Sequence, residues 1–401
     1  MTHIPTSKSK PAPTSWWKKA YFYMFVISCI ASVGLFLYAW IVLESPGSEI
    51  SYNEESGLAV ILAVLTLSTI YMMVDYYIFL KVRGWKKALF ILASVLIIIT
   101  GAEISLYVLA AFHPRIHRHS PTLLWELTPE LKNARDPAGK YRVSTNSHGF
   151  RGKEINMEKP AGQTRIMIIG DSTAFGYPFG DNENFACFLE EKLKKEYPGE
   201  DIRVVNAAVS GYSSFQGSQF MKEKGWGFSP DFLVIAFNND PFVEPVEDRE
   251  RTAFAGFLPF LKILYRSRLY VFLKEKLTSA RINPEDDIHH DPRKGKSRVS
   301  PEHFREIYKY FLEEAGKRGV RVIVISLPIK ESFHNFPRLR SYREIMKEET
   351  GDYGGEFVDL FNKWKNKYSD EIFVDDMHPT IEGHRKIADE LFERINNIKH
   401  R

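Results

Sequence analysis

Apolar residues are spread so unevenly along this chain that its two parts must meet different solvents. Three runs, Ala20–Leu43, Leu58–Leu80 and Ala88–Phe112, are each long enough to cross a bilayer, which takes ~20 apolar residues at ~1.5 Å rise per residue. Nearly all the long apolar stretches of the 401 residues fall before residue 113, and the rest reads as a soluble domain long enough to bury a core. The chain therefore reads as a membrane-attached protein with one substantial globular part. A formal net charge of +4 is too small at this length to argue for a nucleic-acid partner. Two cysteines, Cys29 and Cys187, exclude a disulfide framework and a Cys-rich zinc site.

The flanking charges orient the runs. Lys8, Lys10, Lys18 and Lys19 precede the first, and Lys81, Arg83, Lys86 and Lys87 separate the second from the third. The loop between the first and second carries Glu44, Glu49, Glu54 and Glu55 with no Lys or Arg. Basic short loops stay cytoplasmic, so a cytoplasmic tail (1–19) leads into a three-helix transmembrane region (20–112, helices 20–43, 58–80 and 88–112). An odd number of crossings then places everything after Phe112 outside the cytoplasm, in a multi-pass protein of the cytoplasmic (inner) membrane. Arg115 and Arg118 on the outer side do not reverse this, because long domains translocate largely regardless of charge. Val26-Ile27-Ser28-Cys29 loosely resembles a lipoprotein cleavage site, but the apolar run continues for fourteen residues past Cys29, so a retained helix is expected. Asp75 and Glu103 lie a turn or two from a membrane interface and read as structural acids.

Residues 113–163 are rich in Pro, Arg, His and Asn, with Pro114, Pro121, Pro129, Pro137 and Pro160 interrupting any long helix. They read as a solvated linker and lead-in. His117-Arg118-His119 lacks the i, i+4 spacing that sets two metal ligands on one helical face, so no metal site is read there.

From residue 164 to 401 short apolar runs alternate with amphipathic stretches. Strands are expected at 165–169, 202–209, 232–237, 320–327 and 357–361, and helices at 185–197, 214–224, 301–318 and 381–398. That alternation implies right-handed βαβ units and a parallel sheet covered on both faces, a three-layer α/β domain. In such sheets ligands bind beyond the carboxyl ends of the strands.

Those ends carry chemistry. Gly170-Asp171-Ser172 follows the first strand, Asn206-Ala-Ala-Val-Ser-Gly211 the second and Asn238-Asn239-Asp240 the third, while Asp375-Asp376-Met377-His378-Pro379 precedes the last helix. Ester cleavage needs these residue types. A serine hydroxyl is a weak nucleophile, and a base titrating near neutrality, His378, can take its proton. Asp375, three residues away, can reach the other ring nitrogen and fix the tautomer. The backbone N–H groups of Ser172 and Gly211 and the Asn239 amide can meet the oxyanion of the tetrahedral intermediate.

Taken in order, these blocks resemble those of the SGNH hydrolase superfamily, the GDSL-type esterases and lipases, over roughly residues 142–398. The segment Asn146-Ser147-His148-Gly149-Phe150-Arg151 also looks like the lead-in of bacterial members that carry N-terminal membrane helices. The resemblance implies a flavodoxin-like sheet, an acyl-serine mechanism and no metal. It assigns Ser172 as nucleophile and oxyanion donor, Gly211 and Asn239 as oxyanion donors, His378 as base and Asp375 as its partner. Two positions depart from the pattern. Thr173 stands for the leucine of the signature, and Phe237 stands where a glycine is usual, so its ring is expected to narrow the pocket. The Gly-x-Ser-x-Gly signature of α/β-hydrolases is absent.

Asp171 and Asp240 read as structural acids bonding loop amides, Asp376 as a solvated neighbour of Asp375, His384 as a surface residue and Cys187 as a small core residue. The stretch 253–280 mixes Phe254, Phe257, Leu258, Phe260, Leu261, Ile263 and Leu264 with Lys262, Arg266, Arg268, Lys274 and Lys276. It reads as packing inserted between the third and fourth strands; a membrane-surface element or a lid is the alternative. Residues 281–300 read as a loop. The expected activity is a membrane-anchored serine esterase acting on an acyl ester, an O-acetyl group on an extracytoplasmic carbohydrate or lipid fitting the location. Three rivals stay open on sequence: an O-acyltransferase with the same site, a non-catalytic binding protein of this fold, and a phosphoesterase binding metal through Asp171, Asn239, Asp240, Asp375 and His378.

Overall fold

The computed structural model describes residues 116–136, 141–257, 295–330, 338–365, 367–368 and 370–400, with isolated positions between 23 and 104 and at 267, 269 and 270. Apart from those isolated positions, the expected spans 20–43, 58–80 and 88–112, most of 253–280 and residues 281–294 lie outside the described residues. Among the described residues no helix is long and apolar enough to cross a membrane. The chain forms two units, Met1–His113 with Ser267–Leu273, and Pro114–Arg266 with Lys274–Arg401. Within the first, Leu89, Leu92, Leu96 and Ile99 are helical and exposed. The Glu103 carboxylate there accepts hydrogen bonds from Ser267 Oγ and the Leu269 N–H, each at 2.9 Å. Part of the inserted stretch thus groups with the N-terminal unit.

The second unit opens with an antiparallel pair, β1 (His117–Ser120) and β2 (Leu124–Leu127), and a short pair, β3 (Ala134–Arg135) and β4 (Arg142–Val143). Five parallel strands then build the central sheet: β5 (Thr164–Gly170), β6 (Ile202–Asn206), β7 (Phe232–Ala236), β10 (Arg321–Ser326) and β11 (Glu356–Asp359), in spatial order β11-β10-β7-β5-β6. A small antiparallel pair, β8 (Val243–Glu244) with β9 (Lys296–Ser297), closes the base of the long insertion. In chain order the parallel strands run 2-1-3-4-5, the flavodoxin-like arrangement, whose switch point lies between β5 and β7. Every residue of β7 and all but the first of β5 are buried, which explains why these strands read as continuous apolar runs and not as alternations.

Helices α1 (Ser172–Phe175), α2 (Phe185–Glu196), α3 (Ser214–Glu223), α4 (Asp248–Phe257), α5 (Pro301–Lys317), α6 (Leu339–Asp352), α7 (Leu360–Lys365) and α8 (Ile381–Lys399) complete the unit. The last packs on α2, and α5 packs on α3 and α6. Phe185, Leu189 and Leu193 from α2 join Ile387, Leu391 and Ile395 from α8 in one core, each burial contributing roughly 1.5–3 kcal/mol. The second strand ends three residues earlier than expected. Ala207, Ala208 and Val209 leave the ladder with β5 and begin the loop to Gly211, although the Ala207 and Val209 N–H groups still donate to Ile168 O and Gly170 O. The fifth ends at Asp359, whose carboxylate accepts the Asn362 N–H at 3.0 Å and so starts a helix in place of more strand. Sequence analysis missed α6, although Leu339, Tyr342, Ile345 and Met346 form its buried stripe.

Three further expectations are corrected. The segment read as a solvated linker buries Ile116, Leu123, Leu127, Leu131, Val143 and Phe150 in the main core. Its prolines break helices, but short strands and turns need none. Phe237 does not narrow the site. It is fully buried over Gly217 of α3, where a Cβ would meet its ring at 2.4 Å. His384 is not a surface residue, because it shares the inward stripe of α8 with Ile387, Ala388, Leu391 and Ile395.

The His384 ring lies between Phe179 and Phe185, both centroids 5.9 Å away, and neither ring nitrogen has a hydrogen-bond partner among the described residues. Desolvation, with the charges of Arg151 and His378, pushes its pKa down to about 3. The folded state keeps this ring neutral, whereas the unfolded chain protonates it near the ordinary value of ~6.5. Its contribution to stability is therefore full above that value and is lost as pH falls toward 3, at up to ~1.4 kcal/mol per unit. His384→Phe should flatten this acid limb. Between pH 7.5 and 5 the wild-type Tm should fall ~4–8 °C further than the variant's, as read by thermal melts; equal shifts would reject the assignment.

Candidate active site

The nucleophile turn sits where the first parallel strand ends. Gly170 is forced there by close approach, since a Cβ would lie 2.3 Å from Ala236 O and 2.5 Å from the Ala174 Cβ. Asp171 caps α1. One carboxylate oxygen accepts the Thr173 N–H at 3.0 Å, and the other accepts the Asn238 N–H at 2.7 Å from beyond β7. Ser172 is the first residue of α1, so its N–H has no acceptor within the helix, and none takes it among the described residues.

Near the far end of the chain, the loop before α8 brings in the base. His378 Nε2 lies 2.7 Å from Ser172 Oγ, across 206 residues of sequence. Its Nδ1 lies 2.9 and 2.8 Å from the two Asp375 oxygens. With the proton on Nδ1, Nε2 is left as an acceptor facing the hydroxyl, the tautomer a general base requires. Asp375 Oδ1 also accepts the N–H groups of Met377 and His378, both at 2.9 Å. Burial works to raise the Asp375 carboxyl, but these N–H groups and the His378 ring outweigh it and hold the group below its ordinary value. The carboxylate stays ionised and can stabilise an imidazolium. The Tyr177 ring lies against the His378 ring, their centroids 4.7 Å apart.

Gly211 stands in the loop after β6 with φ +81°, a conformation that favours glycine. Its N–H has no protein acceptor among the described residues. The Asn239 amide donates to Tyr212 O at 3.0 Å, which places Asn239 beside that loop with a second amide hydrogen to give. Asp240 behaves as the structural acid expected, accepting the Ser214 N–H at 2.8 Å and its hydroxyl at 2.6 Å. Burial pushes Asp240 up to about 7 and Asp171 up to about 6. Asp376 is exposed, and Cys187, half-buried on α2, places Sγ 3.1 Å from Asp181 O with its thiol pushed up by burial.

Ser172, His378 and Asp375 thus form one hydrogen-bonded series, and Gly211 and Asn239 flank the neighbouring strand ends. The residues that support them were not among those expected. Arg151 is buried beneath the nucleophile helix, donating to Phe175 O at 2.7 Å, to Phe179 O and to Asp181. Its signal was its place in the lead-in motif. Trp125 and Arg298 border Gly211, and neither carries a local signal.

The arrangement can attack an acyl carbon, remove the serine proton and receive an oxyanion. If Asn239 donates to that oxyanion, Asn239→Ala should lower kcat ~10²–10³-fold with little change in KM. Steady-state kinetics on a nitrophenyl ester would show this, and an unchanged kcat would exclude the role.

The GDSL-like Lipase/Acylhydrolase family matches residues 168–386, more than half of the chain. No curated relative matches the sequence. Among solved structures, LAE5, an alpha/beta hydrolase enzyme from the metagenome of Lake Arreo, is 15% identical with a TM-score of 0.40, covering 57% of this chain and 94% of that one. An acetylxylan esterase from Geobacillus stearothermophilus, solved as a catalytic mutant, is 16% identical with a TM-score of 0.39, covering 58% and 94%. A lipase/acylhydrolase from Enterococcus faecalis is 15% identical with a TM-score of 0.39, covering 58% and 96%. On the extent of the family match, which takes in the nucleophile turn and the Asp375-x-x-His378 block alike, the chain belongs to the GDSL-like lipase/acylhydrolase family and is an ester hydrolase.

Proposed function

We propose that the protein is a membrane-anchored serine esterase that removes a small acyl group from an extracytoplasmic carbohydrate or lipid. The observation that carries this reading is the unbroken hydrogen-bonded series from Ser172 through His378 to Asp375. Ser172 Oγ attacks the acyl carbon as its proton passes to His378 Nε2, and the resulting oxyanion is met by the Ser172 and Gly211 N–H groups and the Asn239 amide. The bond to the alcohol then breaks, the leaving oxygen takes the proton from His378, and an acyl-Ser172 ester remains. Water, deprotonated by His378, attacks that ester, releases the acid and restores the serine. Asp375 stays ionised throughout and holds the imidazolium.

Exposure of the base and its partner supports a bulky alcohol portion. The Asp375 side chain is 48% exposed and that of His378 16%, so the alcohol portion of a large substrate has room to remain in solvent. The membrane part of the reading rests on the three apolar runs and their flanking charges. Leu89, Leu92, Leu96 and Ile99 are helical and exposed, as lipid-facing residues would be.

Full-length protein in detergent should hydrolyse short-chain nitrophenyl esters and take a fluorophosphonate probe at Ser172. Ser172→Ala should abolish labelling and lower kcat ~10⁴-fold or more; turnover surviving in that variant would remove the mechanism. Product analysis with an added sugar acceptor separates the two fates of the acyl-enzyme, free acid for an esterase and an acylated sugar for an O-acyltransferase. For the orientation, Lys365→Cys in a background with Cys29 and Cys187 replaced by serine should react with an impermeant maleimide in intact cells. Lys86→Cys should react only after permeabilisation, and the reverse pattern would invert the topology.

A further inference from the structure

The N–H assigned to the oxyanion at Gly211 belongs to the peptide that joins it to Ser210. In a trans peptide the N–H points opposite to the carbonyl of the same unit, so whatever holds Ser210 O also aims the Gly211 N–H. Ser210 O accepts the indole N–H of Trp125 at 3.1 Å. The next carbonyl, Gly211 O, accepts Arg298 Nη1 at 2.7 Å. Both peptides flanking Gly211 are therefore pinned through their carbonyls, at a glycine (φ +81°) whose lack of a side chain leaves it free to turn otherwise.

The anchors are themselves held. The Tyr212 hydroxyl donates to Trp125 O at 2.7 Å, and the indole lies against Gly211, where a Cβ would sit 3.2 Å from Cζ2. Arg298 donates to Asp248 Oδ2 through Nε at 3.2 Å and Nη2 at 2.8 Å, and to Gln216 Oε1 at 2.9 Å. Asp248 is fully buried and also accepts the Ser213 hydroxyl at 2.7 Å. A guanidinium fixed in this fork cannot swing away from Gly211 O. Trp125 comes from β2 before the parallel sheet, and Arg298 follows β9 beyond the insertion, so neither lies in the four motif blocks.

We infer that Trp125 and Arg298 are positioning residues that aim the Gly211 N–H at the developing oxyanion, an inference that rests on the serine-esterase reading of Ser172. A preorganised donor works because it need not reorient as charge develops. Releasing one anchor lets the peptide turn away and should lower the rate ~10–100-fold, short of the loss on deleting a donor.

The test uses full-length Trp125→Phe, which keeps an aromatic ring and loses the N–H, assayed on a nitrophenyl ester and on the matching thionoester. Thiono sulfur accepts hydrogen bonds weakly, so its hydrolysis depends less on the oxyanion donors. The variant should show kcat for the ester ~10–100-fold lower, KM within about twofold, and an ester-to-thionoester rate ratio reduced by a similar factor. Arg298→Met combined with Asp248→Asn, which removes both buried charges together, should reduce the same ratio. A wild-type ratio in either variant, or a loss falling equally on both substrates, overturns the inference. Wild-type protein that turns over neither substrate and takes no probe at Ser172 overturns the esterase reading instead.

Discussion

A single buried carboxylate holds the site in register. Asp171 accepts the Thr173 N–H with one oxygen and the Asn238 N–H with the other, and so ties the nucleophile helix to the end of the neighbouring strand. Without that tie the serine would depend on a helix of four residues, too short to hold its own position. Desolvation acts against this charge and pushes its pKa up to about 6. Two charge-assisted bonds from N–H groups offset part of that penalty. The switch point between β5 and β7 thereby becomes a rigid corner, with Ser172 on one side and Asn239 on the other.

Carboxylates in this site are separated in role by their surroundings. Asp375 is half exposed, accepts several N–H groups and is held below its ordinary value, so it remains ionised beside the imidazole. Asp171 and Asp240 are fully buried, are pushed upward by desolvation and accept backbone N–H groups, those of Thr173 and Asn238 for the first and that of Ser214 for the second. The same functional group serves as a counter-charge in one place and a loop staple in the others, because solvent access differs. The mixture suits an open cleft, in which the reacting groups meet solvent while the groups that aim them do not.

The parallel sheet does not complete the site alone. Arg151 of the lead-in reaches under the nucleophile helix to Phe175 and Phe179 carbonyls, and Trp125 borders the Gly211 loop. Arg298 arrives from beyond the insertion and closes on Asp248 in a buried pair. A pair of this kind is poor evidence for net stability, since desolving both charges opposes their attraction. Its geometric effect is plainer: it leaves one guanidinium N–H directed at Gly211 O. Segments on either side of the α/β core thus converge on the Ser172 turn and the Gly211 loop.

The order of the five parallel strands and of helices α2, α3, α5 and α8 was legible in the sequence, because buried parallel strands and amphipathic helices leave periods that survive without coordinates. Ser172, Asp375 and His378 were legible as candidates, since a hydroxyl after a buried strand and an Asp-x-x-His pair before the last helix are the residue types that ester cleavage needs. Local patterns reach only as far as their own neighbours. Trp125 and Arg298 therefore left no trace, because their partners lie 85 and 87 residues away and the contacts are to backbone carbonyls, which any sequence supplies. His384 and Phe237 went astray for a related reason: a polar ring on a helix and a large ring in a motif position have a solvent side and a core side, and only packing chooses between them. The lead-in read as linker because prolines exclude helix but say nothing about burial. What tertiary structure decided was which distant surfaces meet, since the free energy of burying them depends on shape in three dimensions and not on spacing along the chain.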